Sequence, residues 1–226
     1  APSLPRGVVP LADLPADHPA AQYAAERGFD PVELSRLYGV GYCALPDLKF
    51  PMAARRLIIP VETRGRLVGW QARFVGERDW KACPAPKYYG MPGMDKRFAL
   101  YNIDRARTYP WGVLVEGVTD VWAVGPNAVG LLGKSITFGQ YRMLIDAYRN
   151  RPLVVMLDGD AQRENEAITR GLAKDLGAGV VRVGLPGDHD PAGFSREVLL
   201  DLIHRQAERQ GVLLPGGGVE GVANGV

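Results

Sequence analysis

Three short apolar runs, each closing on acids beside a glycine, most constrain what this chain can fold into. They are Val113-Leu114-Val115-Glu116-Gly117-Val118-Thr119-Asp120, Val154-Val155-Met156-Leu157-Asp158-Gly159-Asp160, and Leu185-Pro186-Gly187-Asp188-His189-Asp190-Pro191. The pattern between Trp111 and Arg209 alternates short apolar runs with segments of helical spacing. It predicts strands over 113–115, 128–132, 153–157 and 179–183, and helices over 118–124, 137–148, 163–176 and 195–209. In the second helix Phe138, Tyr141, Leu144, Ile145 and Tyr148 fall on one face, and Ser195 caps the last. Such alternation calls for an α/β fold, a parallel sheet with helices on both sides. Ligands of such sheets sit beyond the carboxyl ends of the strands, where all three acidic groups fall.

Acids in that position suit a hard divalent cation held against phosphate. Magnesium keeps octahedral geometry and several waters, and takes one or two carboxylates together with substrate oxygens. Asp158 and Asp160 flank Gly159, where the chain can turn so that both reach one ion. Glu116 ends the neighbouring strand, Asp120 stands in the first turn of the next helix, and Asp190 can complete the rim. Unpaired, such carboxylates repel one another, and a cation relieves the repulsion. Taken singly, each group can also be a turn or a helix cap.

Ahead of this region the sequence reads as α+β. Residues 1–16 carry four prolines and should be extended and irregular. Asp17 is the expected cap of a helix through Ala20, Ala21, Tyr23, Ala24 and Ala25 to Gly28; Asp30-Pro31 opens another, through Val32, Leu34, Leu37 and Tyr38 to Gly39. Leu57–Val61 and Leu67–Phe74 form a hairpin about Thr63-Arg64-Gly65-Arg66. Residues 76–97, with Lys87-Tyr88-Tyr89, read as a basic loop, 99–103 as a short strand or turn, and the glycine-rich 211–226 as a flexible tail or linker. Trp70, Trp80, Trp111 and Trp122 are core candidates. His18, His189 and His204 show no ligand spacing, and His189, near the acids, is a bystander.

The net charge of +2 hides an asymmetry: residues 49–107 hold thirteen Lys and Arg against five Asp and Glu, a balance of +8, leaving −6 for the remainder. A basic segment before an acidic metal site suits a polyanionic partner, although an ordinary solvated surface reads the same way. Cys43 and Cys83 have no CxxC partner, so free thiols are expected and no zinc site. No apolar run approaches the roughly 20 residues of a membrane span, and the first residues lack a signal core, so the expectation is a cytoplasmic protein without membrane contact.

The motifs also resemble a known family. Glu116-Gly117-Val118-Thr119-Asp120 followed by Asp158-Gly159-Asp160 resembles a Toprim domain, and the detail resembles the DnaG-like primases of bacteria and phages. Leu131-Leu132-Gly133-Lys134-Ser135-Ile136-Thr137 with Gln140 is similar to their LGT segment, with Lys134 in place of a small hydroxyl residue. The Leu185–Pro191 segment is similar to LPDGEDPD, with Ala192 where a second acid usually stands. Upstream, Tyr23-Ala24-Ala25-Glu26-Arg27-Gly28, Arg56-Leu57-Ile58-Ile59-Pro60, Gly65 to Arg73, Pro86-Lys87-Tyr88 and Leu100-Tyr101 follow the family's order.

The resemblance implies a basic N-terminal primase-core subdomain over 1–108, a Toprim catalytic domain over 109–194, and a C-terminal helix with flexible tail over 195–226. It implies a DNA primase, a nucleotidyltransferase making RNA primers on single-stranded DNA from ribonucleoside triphosphates with Mg2+ or Mn2+, in a bacterial or phage-infected cytoplasm. Glu116, Asp158 and Asp160 would be the catalytic acids; these with Asp120 and Asp190 would hold metal. Glu116 could instead act as general base. Arg56, Arg73, Lys87, Tyr88 and Lys134 would contact template or nucleotide, and Tyr88 or Tyr89 could stack on a base. A replicative helicase and a separate zinc-binding module would be partners. The alternatives are a Toprim nuclease using the same acids, or a non-catalytic single-stranded-DNA-binding accessory protein.

Overall fold

A two-residue turn sets the register of the first sheet. In the computed structural model, which describes residues 1–45, 47–76, 86–177 and 179–216, Arg64 has φ 56° and Gly65 φ 68°. Two consecutive positive φ angles are what a type I′ hairpin requires. They belong to the first of two compact units, Ala1–Asp95 and Lys96–Val226.

In that unit the elements are β1 (Val8–Pro10), α1 (Pro19–Glu26), α2 (Pro31–Tyr38), β2 (Gly41–Cys43), β3 (Arg56–Thr63), β4 (Arg66–Phe74) and β5 (Tyr88–Gly90). The sheet is antiparallel in simple sequence order, and β3 pairs with β4 from Arg56↔Phe74 to Thr63↔Arg66, with a register shift at Val61/Glu62. Its core holds Cys43, Phe50, Ile58, Trp70, Ala72 and Met91. The Phe50 and Trp70 rings meet edge to face at 5.1 Å, and the buried Trp70 Nε1 donates to Ser3 O at 3.0 Å, so the indole's polar atom is satisfied.

Three expectations for this unit need correction. The N-terminal stretch is not wholly irregular, because Val8–Pro10 pairs with Gly41–Cys43. The first helix is capped by His18 and not by Asp17: with Pro19 at the first helical position, His18 Nδ1 accepts from Ala20 N at 3.1 Å. The basic loop contains a strand, since Tyr88–Gly90 pairs with Gln71–Arg73. Trp80, Cys83 and the expected tail beyond residue 216 lie outside the described residues.

The second unit is built on α3 (Ile103–Ala106), β6 (Gly112–Val115), α4 (Val118–Val124), β7 (Ala128–Gly130), α5 (Phe138–Tyr148), β8 (Leu153–Val155), α6 (Gln162–Leu176), β9 (Val180–Arg182) and α7 (Arg196–Arg209). Its sheet is wholly parallel, in the order β7-β6-β8-β9, with helices flanking it as the alternation requires. Leu144, Tyr148, Ile168 and Leu172 close one hydrophobic cluster over Leu114, Leu153 and Val155, while α4 packs against α7. Residue 112 is glycine for a packing reason: a Cβ there would lie 2.4 Å from the Tyr148 ring. Trp111 and Trp122 are buried as expected.

The buried Gln140 ties residues 96–99 into this unit. Thr137 Oγ1 accepts from Gln140 N, and Gln140 Oε1 accepts from Thr137 N, a reciprocal cap. The Gln140 amide also reaches the carbonyls of Lys96, Ala99 and Leu131 at 2.8 to 3.1 Å. Segment 99–103 forms one isolated bridge, Tyr101↔Gly130, before turning into α3. Phe138 departs from the expected apolar face of α5: at the first helical position it projects into solvent.

The hairpin tip yields a stability test. Arg64 holds a left-handed conformation that costs an ordinary residue about 1 kcal/mol, so Arg64→Asn, which creates the preferred Asn-Gly turn, should raise urea stability by roughly 0.5–1 kcal/mol without changing the m-value.

Candidate metal centre

The β6–β8 register builds the site. Leu114 lies opposite Val155, and Met156 N donates to Leu114 O at 2.9 Å, so both chains leave the sheet together at their carboxyl ends. Glu116 and Asp158 emerge there, and Asp158 N donates to Glu116 Oε1 at 3.3 Å. Asp160 is the middle residue of a 3-10 turn, Gly159–Ala161. One carboxylate oxygen from each of Glu116, Asp158 and Asp160 lies within 4.8 Å of the other two.

Gly159 admits the third acidic segment. A Cβ on it would lie 2.0 Å from Gly187 O, and its N–H donates to His189 O at 2.9 Å. His189 in turn sets its Nδ1 3.0 Å from Pro186 O and its ring against Phe194. The histidine therefore shapes the loop carrying Asp190. Asp190 itself is exposed at the rim, and its charge acts on Asp158 and Asp120.

Asp120 has a different place. It is buried, and its Oδ2 accepts from Gly117 N at 2.8 Å, closing the start of α4. It lies outside the trio whose oxygens converge. Lys134 is exposed on the loop after β7, and its Nζ lies 3.4 Å from Asp160 Oδ2. That loop is held to the site by its backbone, because Leu132 N, at φ 61°, donates to Glu116 O at 3.0 Å.

The electrostatics favour a cation. Burial, then the neighbouring Asp158 charge, push Glu116 up to about 7. The same two causes push Asp120 up to about 7. Burial, then Asp190 and Asp160, push Asp158 up to about 6. Asp158 Oδ1 is also buried without a hydrogen-bond partner. An all-carboxylate donor set with an unsatisfied buried oxygen fits a hard ion such as Mg2+ or Mn2+, and Glu116, Asp158 and Asp160 are the residues that would hold it.

Of the residues predicted to contact template or nucleotide, Arg56, Arg73, Lys87 and Tyr88 occupy the first unit and Lys134 the second. Arg73 is buried, with its guanidinium 4.5 Å from the Tyr88 ring centroid and 5.5 Å from that of Tyr23, and its Nε donates to Tyr23 OH at 2.5 Å. Arg27 covers the same Tyr23 ring at 4.9 Å. Sequence reasoning passed over Tyr23 and Arg27 as site residues, although their four-residue spacing along α1 was the available signal. They line a pocket of about 430 Å³ with Pro19, Gln22, Glu26, Val75 and Gly76. Arg56 is buried and donates to Pro86 O at 2.8 Å, so it braces the segment carrying the exposed Lys87. Tyr89 packs against Trp70, with ring centroids 5.9 Å apart.

No protein-family model and no curated protein matches the chain. Its fold matches solved primase domains. It is 25% identical to an Aquifex aeolicus primase structure comprising zinc-binding and RNA polymerase domains, with TM-score 0.67 over 82% of this chain and 55% of that one. It is 24% identical to the RNA polymerase domain of Mycobacterium tuberculosis primase DnaG in complex with double-stranded DNA, with TM-score 0.67 over 86% and 75% of the two chains. It is 23% identical to a DnaG primase catalytic domain bound to single-stranded DNA, with TM-score 0.67 over 86% and 74%. The chain thus spans about half of the Aquifex chain and about three quarters of the other two. Among the described residues no helix is long and apolar enough to cross a membrane.

The raised carboxylates make stability depend on pH. Their folded-state values lie above the ordinary range near 4, so the folded chain keeps protons that the unfolded chain releases, and stability falls as pH rises from about 4 to about 7. Metal-free protein should lose on the order of 5 °C in Tm between pH 5 and pH 8. Millimolar Mg2+ should restore most of that loss, and Asp158→Asn should flatten both responses in differential scanning calorimetry.

Proposed function

We propose that this chain is a primase catalytic core, joining ribonucleotides into short RNA primers on a single-stranded DNA template. The observation that carries this reading is the convergence of Glu116, Asp158 and Asp160 within 4.8 Å, in a chain sharing its fold with primase RNA polymerase domains. Two of the similar structures contain DNA, one double-stranded and one single-stranded, which supports a DNA template here. The Toprim assignment and the division into a basic subdomain, a catalytic domain and a C-terminal helix belong to the same proposal.

In primer extension a 3′-hydroxyl oxygen attacks the α-phosphorus of the next nucleotide. The bond to the bridging oxygen breaks, and pyrophosphate leaves. A bound divalent cation supplies charge neutralisation for the triphosphate and acidifies the attacking hydroxyl. Asp158 and Asp160 hold the cation site. Glu116, with its proton affinity raised close to neutrality, completes that site or takes the hydroxyl proton. Asp120 fixes the Glu116–Gly117 turn from below, and Asp190 bounds the rim. Lys134, withdrawn from Asp160 by a competing anion, can meet phosphate oxygens. The exposed Arg27 and Lys87, with the half-buried Tyr23 and Tyr88 that the buried Arg73 backs, offer cationic and aromatic groups to a strand or nucleotide.

The test is incubation with single-stranded DNA, ribonucleoside triphosphates and Mg2+ or Mn2+, with labelled products resolved on a denaturing gel. Short oligoribonucleotides are expected, and Asp158→Ala should reduce them by at least roughly a hundredfold while leaving the fold intact. Template cleavage would instead identify a nuclease. DNA binding indifferent to loss of the acids, with no synthesis, would identify an accessory protein.

A further inference from the structure

Two phenylalanines of the second unit stand in water without an internal reason. Phe138, at the start of α5, is 81% exposed, and Phe98, just before α3, is 59% exposed. Leaving such rings in solvent forgoes their burial energy, and exposed rings grouped in one region mark a contact surface.

The Phe98 ring is held by specific packing, and the backbone that carries Phe138 is fixed by its neighbours. Residue 139 is glycine, and a Cβ there would fall 2.5 Å from Phe98 Cδ1 and 2.4 Å from Arg97 O. The Phe98 ring is thus seated on the bare backbone of the first turn of α5. Thr137 Oγ1 donates to Arg97 O at 2.7 Å, and Gln140 binds the carbonyls of Lys96 and Ala99. Phe138 sits between the two residues that make these bonds.

The surroundings are cationic. The Arg97 guanidinium lies 5.9 Å from the Phe98 ring centroid, and Lys96, Arg97 and Lys134 are all exposed. Within 96–103 and 131–145 the charged side chains are Lys96, Arg97, Lys134 and Arg142, with Asp95, Asp104 and Asp146 at the borders of those stretches. This charge disfavours an acid-poor apolar protein partner and favours a polyanion with flat apolar groups. The platform is also near the acids. The Lys134 side chain reaches Asp160, and Lys134 stands four positions before Phe138 along the chain.

We infer that Phe98 and Phe138 form a base-stacking platform for single-stranded nucleic acid beside the acidic centre, with Lys96 and Arg97 meeting its phosphates. The inference rests on the primase reading for the identity of the strand, the DNA template. Its chemistry is stacking on two exposed rings, tolerant of sequence because every base presents a π-face.

The test measures fluorescence anisotropy of a labelled single-stranded DNA and of the same oligonucleotide with an abasic central run, across a salt series. Phe98→Ala and Phe138→Ala should each weaken binding of the base-bearing strand roughly five- to hundredfold. They should leave abasic-strand affinity and the salt slope unchanged. Phe138→Trp should restore binding, and Arg97→Ala should lower the salt slope by about one. Equal weakening on both strands, no weakening, or loss confined to free ribonucleoside triphosphate overturns the inference. So does a wild-type dimer in sedimentation velocity that Phe138→Ala dissociates. Primer synthesis is scored separately on the wild-type chain, so stacking without synthesis rejects the primase reading alone, and synthesis unaffected by loss of both rings with unchanged strand binding rejects the platform alone.

Discussion

The short parallel ladder between β6 and β8 is the constraint from which the second unit follows. Three register pairs, Gly112↔Leu153 to Leu114↔Val155, fix where two chains leave the sheet. A slip of one residue would reverse the side-chain faces and separate Glu116 from Asp158. The flanking helices supply the apolar burial that makes so short a ladder stable, and Gly112 lets Tyr148 lie directly on the strand. The ladder thus holds together carboxylates whose charges oppose one another, and the buried, unsatisfied Asp158 Oδ1 is the local sign of that opposition.

Around this ladder the acids have divided labour. Glu116, Asp158 and Asp160 turn their oxygens toward one point. Asp120 spends one oxygen on the Gly117 N–H and is a structural neighbour of the trio. Asp190 acts through its charge from an exposed loop, whose course depends on the Gly159–Gly187 approach and on His189. One substitution among these residues therefore changes the proton affinity of the others, and their titration belongs to the group as a whole.

The sequence made the parallel sheet and the three converging acids legible because both are local in pattern: apolar runs, glycine and carboxylates recur in a fixed order. It made the Asp30 cap legible for the same reason. Asp17 misled because an aspartate before Pro19 looks like a cap, whereas the proline moves the helix start and gives the task to His18. Tyr88 was hidden as a strand residue because β5 is short and its partner lies fifteen residues upstream, at Arg73. Tyr23 and Arg27 were missed because their role arises only when α1 meets the end of β4. Phe138 looked like core by helical spacing, yet as the first residue of α5 it is exposed.

Cys43 carries a consequence of a different kind. Its thiol lies in the core of the first unit and donates to Leu45 O at 3.2 Å; burial, then the Asp47 charge, raise its proton affinity. The thiolate is the reactive form, and it is scarce and shielded while the sheet is closed. Oxidants and alkylating reagents therefore meet this sulfur only after β2 detaches from its neighbours. The rate of covalent capture at Cys43 is a clock for the opening of that sheet, written into the molecule without any added label.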